Sequence, residues 1–104
     1  MQEQSEHSAN GAVVVTGGGS GIGRTIAERF AQAGEAVLIF DHNEAAAEQV
    51  TADLKAAGHR AVAFVGSVSN EDDVSAAFEL AEASFDGVKT LINNAGISGN
   101  CPTI

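Results

Sequence analysis

A glycine-rich run, TGGGSGIG, covers Thr16 to Gly23 and is the stretch best suited to hold an anionic ligand. Backbone amides in such a run, together with the start of a following helix, can bind phosphate groups. Two phosphate-binding patterns overlap here. From Gly18 the run approaches G-x-x-x-x-G-K-[ST], with Arg24 at the lysine position, which would indicate an NTPase. From Thr16 it reads T-G-x-x-x-G-x-G, a dinucleotide-binding loop typical of nicotinamide oxidoreductases.

Two residues outside the glycines favour the dinucleotide interpretation. A planar guanidinium is a poor substitute for a compact ammonium between phosphates, so Arg24 weakens the NTPase interpretation. Asp41 follows the apolar run AVLIF, roughly 20 residues after the last glycine of the loop, where a ribose-binding acid belongs in a dinucleotide fold. A glycine-rich turn that binds nothing is the remaining alternative.

The elements that must position this loop alternate in hydrophobic period. Four short apolar runs, AVVV, AVLIF, AVAFV and KTLIN, predict strands buried in a sheet. Between them, three stretches have the apolar spacing of helices. Strand and helix therefore alternate three times before a last strand. This order predicts an α/β fold with a Rossmann-type, doubly wound parallel sheet, here partial, with strand order 3-2-1-4.

The predicted helices have recognisable ends and apolar faces. The first carries an apolar stripe of Ile22, Ile26, Phe30 and Ala33, and the third one of Val74, Phe78, Ala81 and Phe85. Asn43 is placed to cap the second helix, and Asn70 with Asp73 resembles a capping box at the third. Each predicted helix therefore begins just after the carboxyl end of a strand.

The polar segments after three strands meet at one edge of such a sheet, since its strands are parallel. These segments are the glycine loop, Asp41, and Asn93 to Gly96. In the loop, Gly17 turns the chain out of the first strand, Gly21 lets backbone amides approach a pyrophosphate, and Gly23 lets the helix pack closely on the sheet.

Composition narrows the classes of partner. Five Lys and Arg against 14 Asp and Glu leave a net charge of −9, which disfavours nucleic acid and anionic membranes. Cys101, the single cysteine, excludes an internal disulfide, and the three histidines lack metal-ligand spacing, so no metal site is predicted. Residues 1–10 are polar and are predicted to be a disordered lead-in, residues 11–104 form the domain, and a cytoplasmic location is expected.

TGGGSGIG, Asp41 and the NNAG segment at Asn93–Gly96 together resemble the short-chain dehydrogenase/reductase family, over the chain from about Gly11 onward. The resemblance implies a nicotinamide dinucleotide as cofactor and hydride transfer between an alcohol and a carbonyl. The cofactor-binding residues that it implies are Gly17, Gly19, Ser20, Gly21, Ile22, Gly23, Asp41, Ser67, Val68, Asn93, Asn94, Ala95 and Gly96.

The resemblance also implies that NAD is preferred to NADP. The Asp41 carboxylate can accept both ribose hydroxyls of NAD, whereas the 2′-phosphate of NADP would meet a like charge. NADP-preferring relatives commonly place Arg or Lys just before the second motif glycine, where this chain has Ser20. After the third strand the family usually has Asp-Val, whose carboxylate contacts the adenine amino group. This chain has Ser67-Val68 at that position, which predicts a weaker contact with adenine.

The catalytic residues of the family are a second departure. The family uses a Tyr-x-x-x-Lys pair to exchange a proton with the substrate oxygen, and this sequence contains no tyrosine. No catalytic residue is therefore assigned, and the chain alone is expected to be inactive. We interpret it as the cofactor-binding half of an oxidoreductase whose longer form takes a small alcohol or carbonyl substrate. The alternative is a non-catalytic dinucleotide-binding module. An exposed edge at the fourth strand predicts self-association or a homo-oligomer.

Overall fold

The architecture is a four-stranded parallel sheet covered by helices on both faces. The computed structural model describes residues 11–94, so the predicted lead-in at residues 1–10 lies outside the described residues. The elements in chain order are β1 (Ala12–Thr16), α1 (Gly21–Gln32), β2 (Ala36–Asp41), α2 (Glu44–Ala56), β3 (Ala61–Val65), α3 (Glu71–Phe85) and β4 (Val88–Ile92).

The strand order is β3-β2-β1-β4, and all three pairings are parallel. This confirms the fold class and the strand order predicted from the sequence. The order reverses between β1 and β4, the point at which an open α/β sheet has its binding crevice. The β1–β4 register shifts between Ala12 and Val13.

Alternation along the two central strands divides the core into two layers. Val13, Val15, Val37 and Ile39 pack with α1 and α2 on one face. Val14, Leu38 and Phe40 pack with α3 on the other face. Every residue of β1 and β2 is buried, as their continuous apolar runs predict.

Three residues of the predicted helical stripes lie outside the core. Ile22 is 69% exposed, Phe78 is 38% exposed, and Ala33 is exposed at the C-cap of α1. The buried residues of α1 are Gly23, Ala27 and Ala31, and Ala77 fills the position in α3 that the prediction gave to Phe78. The stripe prediction was wrong at these three positions because helical spacing specifies a face of the helix but not how far neighbouring elements cover that face.

The helix ends follow the predicted caps. Asn43 Oδ1 accepts a hydrogen bond from Ala46 N at 3.0 Å, and Asn70 Oδ1 accepts from Asp72 N at 2.9 Å and Asp73 N at 3.1 Å. None of the helices in residues 11–94 is long and apolar enough to cross a membrane.

Candidate functional site

The glycine loop leaves β1 through a tight turn. Gly17 has a φ of 66° and donates its backbone amide to Phe40 O at 2.7 Å. A Cβ on Gly23 would overlap the carbonyl oxygen of Gly17 and would lie 2.7 Å from Asn94 Nδ2. The absence of a side chain at Gly23 is therefore what lets α1 start directly against the loop and the end of β4, as the sequence predicts.

The start of α1 differs from the starts of the other two helices. Its N-cap residue, Ser20, has extended backbone angles but makes no side-chain cap, and no acid stands in the first turn. By contrast, α2 and α3 are capped by asparagines and carry acids in their first turns. Unpaired amides and the positive end of the helix dipole attract an anion. Within residues 11–94, α1 is the helix whose start is left open for one.

Asp41 connects three loops at this edge. Its Oδ2 accepts the Gly19 backbone amide at 2.9 Å, and its Oδ1 accepts the Asn43 amide at 3.0 Å. Its main-chain oxygen accepts the Gly66 amide at 3.1 Å. The side chain is only 8% exposed, with His42 Nδ1 3.5 Å from Oδ1. The predicted ribose acid is thus also a fixed part of the loop framework.

The loop after β3 forms another part of the cleft wall, through Gly66, Ser67 and Val68. Ser67 donates its backbone amide to Asp73 Oδ2 at 2.9 Å, and its hydroxyl shares a 2.8 Å hydrogen bond with the hydroxyl of Ser69. Asp73 therefore reaches back to Ser67 and not to the backbone amide of Asn70, so the predicted capping box is only half formed. Val68 is 44% exposed and gives this wall an apolar surface.

The two asparagines of NNAG tie β4 to β1. Thr16 Oγ1 donates to Asn93 Oδ1 and lies equally far, 3.3 Å, from Ile92 O. Asn94, which is buried, donates from Nδ2 to Gly17 O at 3.3 Å. The segment thus fixes the central strands and the glycine loop together. Ala95 and Gly96 lie outside the described residues.

Arg24, the residue at the lysine position of the NTPase pattern, is held by two carboxylates. Its Nε donates to Glu28 Oε2 and its Nη2 to Asp53 Oδ2, both at 2.7 Å. Hydrogen bonds, chiefly to Glu28 and also to Asp53, raise the pKa of Arg24. Hydrogen bonds, chiefly from Arg24 and also from Gln49, lower the pKa of Asp53. Arg24 therefore links α1 to α2 and does not line the cleft.

The segments after the strands enclose a cleft of about 630 Å³, within the usual size range of ligand sites. It is lined by Gly17, Ser20, Gly21, Ile22, Phe40, Asp41, His42, Asn43, Gly66, Ser67, Val68 and Asn94. The structure thus brings most of the predicted site residues to one place. Gly23 and Gly19 do not line the cleft, but each lets its neighbours pack closely because it has no side chain. A Cβ on Gly19 would lie 2.8 Å from Asp41 Oδ2.

The cleft is also lined by four residues that were not among the predicted site residues: Phe40, His42, Asn43 and Gly66. Phe40 was predicted as part of a buried strand, yet it also reaches the cleft and packs edge-on against Phe64, with 5.3 Å between the ring centroids. Asn43 was predicted only as a helix cap. Asp73, which holds Ser67 without lining the cleft, was predicted only as part of a capping box.

Comparison with known proteins agrees with this geometry. Residues 11–104 match the family model for short chain dehydrogenases. Cyclohexanol dehydrogenase from Acinetobacter sp. (strain SE19) is 38% identical over 90 residues, which cover 86% of this chain and 36% of that protein. Cis-4-hydroxycyclohexanecarboxylate dehydrogenase from Sinomonas cyclohexanicum is 42% identical over 93 residues, covering 89% of this chain and 37% of that protein.

A solved structure shows the same likeness in three dimensions. The crystal structure of a short-chain dehydrogenase/reductase from Burkholderia phymatum in complex with NAD superposes with a TM-score of 0.75 and 35% identity. The match covers 81% of this chain and 30% of that chain. The present chain thus spans little more than a third of the length of the curated relatives described above.

Proposed function

The chain belongs to the short-chain dehydrogenase family, and we propose that it is the dinucleotide-binding part of an NAD-dependent oxidoreductase that interconverts alcohols and carbonyls. The cofactor would supply the hydride acceptor and donor. The residues of this chain would bind and orient it.

The uncapped start of α1 in the wall of the cleft is the observation that carries this proposal. Gly21 and Ile22, the first residues of α1, line the cleft together with Ser20. A helix terminus stabilises an anion by about 0.3–1 kcal/mol when exposed and about 2 kcal/mol when partly buried. Because the chain carries a net charge of −9, a pyrophosphate needs such a local site. An uncapped helix start in the wall of the cleft fits the phosphates of such a cofactor.

The remaining walls suit the other parts of a dinucleotide. We assign the adenosine ribose to Asp41, whose oxygens keep acceptor capacity beyond the two backbone amides they bind. We assign the adenine to the wall at Ser67 and Val68, since the apolar Val68 offers a flat ring a surface to cover. The full set of proposed cofactor-binding residues is that given by the family resemblance, including Asn93, Asn94, Ala95 and Gly96.

NAD is the form of the cofactor that these charges favour. A 2′-phosphate would approach the Asp41 carboxylate, which is held in place by two backbone amides. Arg24, which does not line the cleft, is paired with Glu28 and Asp53 and so is not free to offset that repulsion. Ser20, at the cleft wall, brings no positive charge.

Substrate chemistry belongs, in this proposal, to a longer form of the protein. The family's Tyr-x-x-x-Lys pair is not present in these 104 residues, which contain no tyrosine. We therefore expect the chain as given to bind the cofactor without transferring a hydride to or from an alcohol or carbonyl.

Calorimetric titration of the 104-residue chain with NAD and NADP tests the proposal. We expect NAD to bind more tightly, and Ser20→Arg to narrow the difference by adding a cation beside the cleft. Ser75→Arg, the same change at an exposed position of α3 away from the cleft, is the matched control and should leave the difference unchanged. Tighter binding of NADP by the unaltered chain would refute the preference, and no binding of either would refute the function.

A further inference from the structure

Asp73, in the first turn of α3, fits against the loop after β3 with little room to spare. Its Oδ2 accepts the backbone amide of Ser67 at 2.9 Å. A Cβ built on Gly66 would lie 2.9 Å from the same oxygen and 2.8 Å from Phe64 Cε2. The carboxylate can therefore reach Ser67 because residue 66 has no side chain.

The segment that Asp73 holds is a wall of the cleft, although Asp73 itself does not line it. Gly66 is tied to β2 through its amide bond to Asp41 O. The other described contacts of Ser67 are with residues close in sequence: the Ser69 amide donates to Ser67 Oγ at 3.2 Å, the two hydroxyls share a hydrogen bond, and the Asn70 amide donates to Ser67 O at 3.1 Å. Asp73 is thus the side chain that anchors Ser67 to α3.

We propose that Asp73 is a positioning residue that fixes Ser67 and Val68 for the adenine base of the dinucleotide. The inference rests on the function proposed above, which assigns the base to this wall. A hydrogen bond to a carboxylate is shorter and stronger than one between neutral groups. A wall that is already fixed loses less conformational entropy when the ligand binds, so the contact contributes to affinity without touching the ligand.

Three variants separate this role from a general effect of charge or folding. Asp73→Ala removes the acceptor, while Asp73→Asn keeps an oxygen that can still accept from Ser67 N. Asp72→Ala is the matched control: it removes the same charge from the same turn of α3, and its side chain is exposed. The ligands are AMP, which has the base, and inorganic pyrophosphate, which does not. Dissociation constants come from calorimetric titration.

Asp73→Ala removes about one hydrogen bond that holds the wall in its binding conformation. This change should raise the AMP dissociation constant about five- to tenfold. Pyrophosphate binding should change by less than about twofold, because the proposed phosphate site is the start of α1, which follows β1 and not β3. Asp73→Asn should recover most of the AMP affinity, and Asp72→Ala should match the unaltered chain. In Gly66→Ala the added methyl group displaces the Asp73 carboxylate. This variant should also raise the AMP dissociation constant while changing that of pyrophosphate by less than about twofold.

The outcomes distinguish the inference from the function beneath it. If the unaltered chain binds neither AMP nor pyrophosphate, the proposed function fails and the inference with it. If it binds both and Asp73→Ala behaves like Asp72→Ala, the inference alone is overturned. Equal losses of AMP and pyrophosphate affinity in both Asp73→Ala and Gly66→Ala would show a merely structural role and would also overturn it.

Discussion

Two glycines with left-handed backbone angles allow the effect of the cleft to be separated from the effect of backbone strain. Gly21 has a φ of +59° and Gly34 a φ of +95°, and a Cβ at either would meet no heavy atom within 4 Å. Gly21 begins α1 and lines the cleft, while Gly34 lies just beyond the other end of that helix. Alanine at either position therefore strains the backbone without a clash, and only one of the two changes reaches the proposed phosphate site.

The expected magnitudes follow from these positions. A left-handed conformation costs a non-glycine residue roughly 1–2 kcal/mol, so both variants should lose about that much free energy of unfolding. Gly21→Ala also places a methyl group where a pyrophosphate would approach the first amides of α1. Loss of a partly buried helix-terminus interaction, about 2 kcal/mol, would weaken NAD binding roughly 30-fold.

Calorimetric titration with NAD and denaturant unfolding, run on both variants, check these values. Gly34→Ala should bind NAD as the unaltered chain does while sharing the loss of stability. Equal weakening of NAD binding in the two variants would refute the reasoning, since strain alone would then explain the effect. Unchanged binding in Gly21→Ala would refute it as well.

Three further predictions concern stability and association. Thr51 Oγ1 is buried and has no hydrogen-bond partner among the described residues. Thr51→Val should therefore raise the free energy of unfolding by about 1 kcal/mol, whereas the exposed control Thr25→Val should not; an unchanged free energy of unfolding in Thr51→Val would contradict this. Because the pKa of Asp53 is lowered, its contribution to stability is fully present above the ordinary aspartate pKa of 3.8 and is lost as the pH falls through the lowered value. The melting temperature of Asp53→Asn should therefore be lower than that of the unaltered chain at about pH 7, with a difference that shrinks as the pH falls through the lowered value; equal melting temperatures at about pH 7 would contradict this. Leu91 is 49% exposed on β4, which pairs only with β1 among the described strands. The 104-residue chain should therefore self-associate in sedimentation velocity, and Leu91→Lys should reduce the associated fraction; a single monomer boundary for the unaltered chain would contradict this.

The sequence predicted the sheet because its strands are simple to recognise. β1 and β2 are buried on both faces, so their residues form unbroken apolar runs that no amphipathic surface helix would show. The glycine at position 23 was predictable for a similar reason, since close packing of a helix on a strand requires the absence of a side chain.

Contacts between distant side chains were not predictable in the same way. Ile22 has the spacing of a core residue, but it stands at the helix start, where the cleft replaces the core. From the sequence, Arg24 could have faced the phosphates or α2. Its orientation is set by ion pairs with Glu28 on its own helix and Asp53 on α2. Asp73 was recognisable as a cap residue, whereas its bond to Ser67 depends on the space left by Gly66.

Amide chemical shifts during an NAD titration test the central claim most directly, because they report where on the chain the phosphates bind. The first amides of α1, those of Gly21, Ile22 and Gly23, should show the largest changes, together with the Gly19 amide held by Asp41. The capped starts of α2 and α3 should change much less. Saturable shifts concentrated at α1 would agree with the account. Binding without shifts at the start of α1, or no shifts at saturating NAD, would contradict it.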